Sequence, residues 1–453
     1  MTSSGRPANV QATANAQVGL AAASAQAVAD AFANLKRYLP RDRWLGSQNA
    51  YRTGTVEAIR DDCSNGNLNQ KHLAEYIAAS APLHASDGWA FLGRAMQAHL
   101  LGDRSAARHL AYYAELRAAM AILAAHGIGI FDKQHFAVTS ATGVTKINGA
   151  PGTHVFAWQA LQWWASRSGS WNLVGDAVRP YGRNLNDWLA AVPKYASWGP
   201  VASSWIESLG LDIQRVASDQ FSRNDASYRP TRIVEPQTLD VRSGAEFAIN
   251  LWRALEPGPN GFPNLDLHVL RVTLERAFEA VESSKPARQP TAFATAAVAV
   301  SGAAAQPEPT RLRLERFLRR QTEPADLEML HEAAANSSSS DPRHHMQVMS
   351  RAATLLVLAT AAARRLTERS GLDLGDTAFW WEALGAERGM WRTAPPTSDL
   401  RDLWQDVRME LEVLEDWLAA PGIRTCAEFV TGCPTVFIRL SQFEFAALWG
   451  MAA

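Results

Sequence analysis

One stretch constrains the fold more than any other: His109-Leu-Ala-Tyr-Tyr-Ala-Glu-Leu-Arg-Ala-Ala-Met-Ala-Ile-Leu-Ala-Ala-His-Gly127. Tyr113, Leu116, Met120 and Leu123 recur at helical spacing, which winds them into one apolar stripe. Alanines at 111, 114, 118, 119, 121, 124 and 125 raise helix propensity and let neighbouring helices approach closely. The pattern predicts a helix from Arg104 to Ala125, with Gly127 where a left-handed residue would end it. Ile128-Gly-Ile-Phe and His135-Phe-Ala-Val-Thr, separated by Asp132-Lys-Gln, then read as a hairpin, with Val144-Thr-Lys-Ile as a third strand.

Helical spacing dominates the rest of the chain. An early helix carries Val28, Phe32, Leu35 and Tyr38 (or Leu39) on one face and stops at Pro40. Asp87-Gly-Trp opens a helix through His99, which Gly102-Asp103 breaks, and another strong helix runs from His344 to Leu366. The expected class is mainly α: a multi-helix bundle core with a small β-hairpin insertion near 128–147, in a two-part chain. Residues 1–18 read as a disordered lead, 19–282 as the first helical domain, 283–310 as a linker and 311–453 as a C-terminal helical domain. Within that linker, Thr291 to Ala304 has the alternative of an apolar strand or helix inside a domain.

A chain of 453 residues with a formal charge of −1 shows no bulk attraction for nucleic acid or membrane, although a local patch is compatible with it. No run approaches the roughly 20 apolar residues of a membrane span, and residues 1–27 lack the features of a secretory signal. Three cysteines, Cys63, Cys426 and Cys433, make neither a disulfide framework nor a four-ligand zinc site. Arginine outnumbers lysine 38 to 6, the mark of a GC-rich genome. A bacterial, cytoplasmic protein without metal or cofactor is expected.

Most catalytic signatures are absent. No Gly-x4-Gly-Lys-Ser/Thr loop and no Gly-x-Ser-x-Gly elbow occurs, and no lysine follows a carboxylate at the two-residue spacing of restriction-type nucleases. His331-Glu332 lacks the second histidine of a zinc protease, and the adjoining His344-His345 diverge by about 100° on a helix. Asp61-Asp62 and Asp373 with Asp376 lie near turns, where aspartate caps helices. Seven tryptophans between 158 and 205 fit core filling between short helices better than a stacking platform.

The run Ala111-Tyr-Tyr-Ala-Glu-Leu-Arg-Ala-Ala-Met-Ala-Ile-Leu-Ala-Ala-His-Gly-Ile128, followed by Thr153-His-Val-Phe-Ala-Trp158, resembles the central helices of HEPN-type domains. The run Met346 to Ala359 is similar to helices of YaaC-like proteins, regarded as HEPN relatives. The likeness covers about a fifth of the chain. It implies a HEPN-like first domain, and in that family an Arg-x(4–6)-His motif cleaves RNA, the histidine moving a proton and the arginine stabilising phosphate charge. Two matches occur, Arg94 with His99 and Arg104 with His109, both ahead of the position the family favours and no more than arginine abundance yields by chance.

Arg311, Arg313, Arg316, Arg319 and Arg320 form the one concentrated basic segment, a candidate phosphate-binding face for RNA or DNA or else an ordinary surface helix. Three functional classes follow. The first is a non-enzymatic adaptor or recognition subunit of a larger bacterial complex, with a protein partner or a homodimer, in a phage-defence setting by family habit. The second is a metal-independent HEPN-type RNase or toxin. The third is an enzyme of unrecognised type whose site gathers His126, His135 and His154 around the hairpin.

Overall fold

The computed structural model describes residues 11–195, 241–303, 306–335, 341–420 and 425–452. Nineteen α-helices and one small sheet are found among them. The chain opens with α1 (Ala14–Ala21), α2 (Ala25–Ala33), α3 (Thr55–Asn65), α4 (Gln70–Leu100) and α5 (Arg104–Ala125). Strands β1 (Ile128–Phe131), β2 (Gln134–Ser140) and β3 (Gly143–Lys146) follow, then α6 (Thr153–Ala165), α7 (Ser168–Ala177) and α8 (Leu185–Leu189). Next come α9 (Val241–Ala254), α10 (Pro263–Glu282), α11 (Pro290–Gly302), α12 (Glu308–Leu318) and α13 (Glu328–Ala334). The series ends with α14 (His344–Arg369), α15 (Ala378–Glu387), α16 (Trp404–Ala419), α17 (Cys426–Gly432), α18 (Pro434–Leu440) and α19 (Glu444–Ala452). The protein is mainly α with a small β insertion.

The predicted core helix forms as its pattern requires. Asp103 caps the start of α5 by accepting from the Ala106 N–H at 2.9 Å, and Gly127 takes φ +84° just past its end. The sheet is an antiparallel meander in the order β1-β2-β3, with Ile128 opposite Ala137 and Phe131 opposite Gln134. Asp132 supplies the positive φ of the first turn.

The centre is a layer of α4, α5 and α14, each packed against the other two. Trp89 on α4 donates its indole N–H to Thr360 on α14 at 2.8 Å, both groups buried. Where α4 passes the turn before α19 it carries Gly93, and a Cβ there would lie 2.1 Å from the Ser441 carbonyl oxygen. Only a residue without a side chain fits this crossing.

Several expectations need correction. Asp87-Gly88 does not begin a helix: α4 runs unbroken from Gln70 to Leu100, with Pro82 inside it. Packing on α5 and α14 outweighs the local breaker signals. Of the lead, residues 1–10 lie outside the described residues, but Thr13 caps α1 and its hydroxyl donates to the Gly149 carbonyl. The proposed linker gives way to its alternative, a helix inside the fold: α11 packs on α12 and buries Phe293, Ala297 and Val300. Nor do two cores meet at 283. The buried apolar side chains form one continuous cluster from Ala12 to Trp449, because α14 supplies the missing wall of the α4–α5 pair.

By length and mean hydropathy α14 could cross a membrane, which inspection of uninterrupted apolar runs overlooks; here its apolar window is wholly buried inside the protein. Gly93→Ala is expected to lower unfolding stability by about 1–3 kcal/mol through overpacking. Denaturant titration would measure it, and an unchanged midpoint would contradict the close crossing.

Candidate functional site

The densest grouping of buried polar side chains lies along α14. Within this apolar helix, Gln347, Ser350, Arg351 and Thr354 recur at spacings of 3, 1 and 3, all of them buried. That is one helical stripe. Facing elements contribute Glu115 from α5 and His99 from α4, with Arg104 and Arg108 near the start of α5.

At one end, Arg351 Nε donates to Glu115 Oε1 at 3.0 Å, with both side chains fully excluded from solvent. Near the start of α14 and on its opposite face, His99 and His345 meet at 2.9 Å between Nδ1 and Nε2. His99 Nε2 lies 3.1 Å from the Gly244 carbonyl oxygen on α9, so Nε2 must carry a hydrogen to donate there. In a neutral ring Nδ1 is then an acceptor, and His345 Nε2–H supplies its hydrogen. Burial makes the neutral form the stable one: it pushes His99 down to about 4, with the nearby Arg104 charge adding to the shift. His345 is pushed down further by burial and then by His99, Arg104, His344 and Arg108.

The structure therefore rearranges the sequence pairs. Arg94 is exposed and His99 buried, as five residues on one helix turn them about 140° apart. Arg104 acts on His99 and His345, while His109 sits half-buried, edge-on to the Tyr113 ring at 5.1 Å. His345 was weighed from the sequence only beside His344, as a pair that diverges on a helix, and its partner is His99. The polar stripe does not mark it: His345 lies about 120–180° around α14 from Gln347, Ser350, Arg351 and Thr354, and only the fold brings His99 to it.

The hairpin histidines do not converge. His135 is fully buried, donates Nε2–H to the Pro151 carbonyl at 2.7 Å and stacks on Phe156 at 4.3 Å. His126 Nδ1 donates to the Ile122 carbonyl, and His154 meets the Tyr112 hydroxyl at 3.1 Å. Among the described residues no three His, Cys, Asp or Glu side chains are placed to hold one metal ion. Trp158, Trp164 and Trp188 are buried in the core, while Trp198 and Trp205 lie outside the described residues. Asp373 and Asp376 each accept from the other's backbone N–H, and Asp62 accepts from the Tyr51 hydroxyl at 2.8 Å.

The basic segment is only partly a surface patch. Arg320 is the left-handed residue ending α12 (φ +56°), and its guanidinium grips Glu275 at 2.6 and 2.8 Å and Asp326 at 2.7 Å. Asp326 also accepts from the fully buried Arg271 at 2.6 Å. Burial would raise this carboxyl, but bonds from His268, Arg320 and Arg271 hold it well below the usual range. Arg319 pairs with Glu315 and Arg311 lies 4.0 Å from Glu308, which leaves Arg313 and Arg316 as the exposed, unpaired cations of the segment among the described residues. A five-arginine phosphate-binding face is not formed.

Two outcomes follow. Glu115→Ala or Arg351→Ala strands a buried charge, with an expected cost of about 3–5 kcal/mol. Replacing both with Leu and Met is expected to recover most of it in chemical denaturation. The buried neutral histidines give the second. The unfolded chain takes up protons near pH 6.5, whereas folded His99 and His135 do so only near 4, so stability is full above about 6.5 and falls toward 4. Each loses about 2 kcal/mol between pH 7 and 5. Asp266, pushed up to about 8 by burial, works in the opposite direction and offsets about one histidine. Melting temperatures flat from pH 7 to 5 would contradict this. The chain matches no known protein family, no curated protein and no solved structure.

Proposed function

We propose that this chain is a non-enzymatic helical recognition subunit that works within a larger complex. One observation carries the reading: the groups best suited to acid–base chemistry join helices together. His99 engages both ring nitrogens between α9 and α14 and is 2% exposed, so a polymer phosphate has no path to it in this arrangement. The Arg271, Arg320 and Asp326 network likewise holds α10 and α12 to the loop before α13. The phage-defence setting rests on the HEPN resemblance alone.

The second reading, a metal-independent RNase, draws on one observation, the placing of Arg104 near two neutral histidines. It requires α9 to leave His99. Purified protein incubated with total RNA in EDTA separates the two. Intact RNA with the unaltered chain and with the His99→Ala and His109→Ala variants is the expected result. Cleavage lost in either variant would overturn the recognition reading and identify the base.

A further inference from the structure

Large apolar side chains that remain exposed gather mainly on two ridges of opposite charge. On the first, Met409 and Val413 stand one turn apart on α16, 62% and 50% exposed, and Ile438 on the adjoining α18 is 57% exposed. Helix α16 carries five carboxylates and one arginine. Asp406, Glu412 and Asp416 are exposed beside the apolar pair; Arg408 lies 3.5 Å from Glu412 and Arg439 3.9 Å from Asp406, so carboxylates outnumber cations there without being alone. On the second ridge, Leu312 on α12 and Val298 on the adjoining α11 are exposed with Tyr181. Its cations are Arg313 and Arg316, and Arg313 lies near enough to Tyr181 for its charge to act on the phenol.

We infer that the α16–α18 ridge of one molecule docks on the α11–α12 ridge of a second copy of this chain. Each ridge joins an apolar strip to an excess of charge of one sign, and the excesses are complementary, so contact buries the strips while pairing the rims. Neither ridge suits itself. An α16 face against another α16 face sets carboxylate against carboxylate, and an anionic bilayer repels it for the same reason. The exposed arginines of α12, first considered for phosphate, thus gain a protein counterpart. This association does not depend on the recognition-subunit reading and is compatible with an enzyme as well.

Sedimentation velocity of the full chain tests it, over about 1 to 100 µM at low salt, the range in which an interface of modest size assembles. The expected mass exceeds the 49.5 kDa of one chain and falls as salt is added. Arg313→Glu with Arg316→Glu should weaken association about tenfold or more, and adding Glu412→Arg with Asp416→Arg should restore it. These side chains are exposed, and unchanged circular dichroism and melting would show that folding is intact. Met409→Ser with Val413→Ser weakens association without altering charge. A monomer at about 100 µM, or an oligomer indifferent to both charge reversals, overturns the proposal.

Discussion

Burial of α14 on all sides sets the terms for the rest of the molecule. A surface helix turns its polar groups to water, but this one must answer them inside the protein. Arg351 meets Glu115 of α5, His345 meets His99 of α4, and the hydroxyls of Thr354, Thr360 and Thr367 bond back to carbonyls one turn earlier. Such contacts have fixed partners and fixed directions, whereas apolar packing alone tolerates sliding. The contacts that Arg351, His345 and Thr360 make with α5 and α4 therefore set the register of the three central helices. The apolar remainder supplies most of the driving force.

The same logic separates the two charged networks. Glu115 and Arg351 sit where water is absent, so their pairing offsets a desolvation cost more than it adds stability. Arg320 stands at a left-handed position that glycine would occupy with less strain. Its three charge-assisted bonds reach α10 and the chain before α13, and give a local reason for arginine there.

Much of the fold was legible from short-range pattern. The apolar stripe of α5, its glycine end and the three strands follow from spacing and turn residues, with the meander in the expected order. What escaped depends on distant partners. Asp87-Gly88 looks like a helix start until α14 is set against it, and Pro290 to Gly302 looks like a linker until α12 covers it. The site was half legible. His99 and Arg104 were singled out, but pairing by sequence distance joined each to the wrong neighbour. Five residues turn a helix side chain well away from its starting face, whereas His345 reaches His99 through the fold.

The central layer also has a consequence in time. Helices α4 and α5 leave the ribosome before α14, which covers their shared face, lies roughly two hundred residues later and emerges on the order of ten seconds or more after them at about 5–20 residues per second. Throughout that interval the nascent chain presents a broad alanine- and leucine-rich surface with Glu115 uncovered in its midst. The charge that is costly in the finished core keeps the waiting face partly wetted, and so discourages premature self-association until Arg351 arrives.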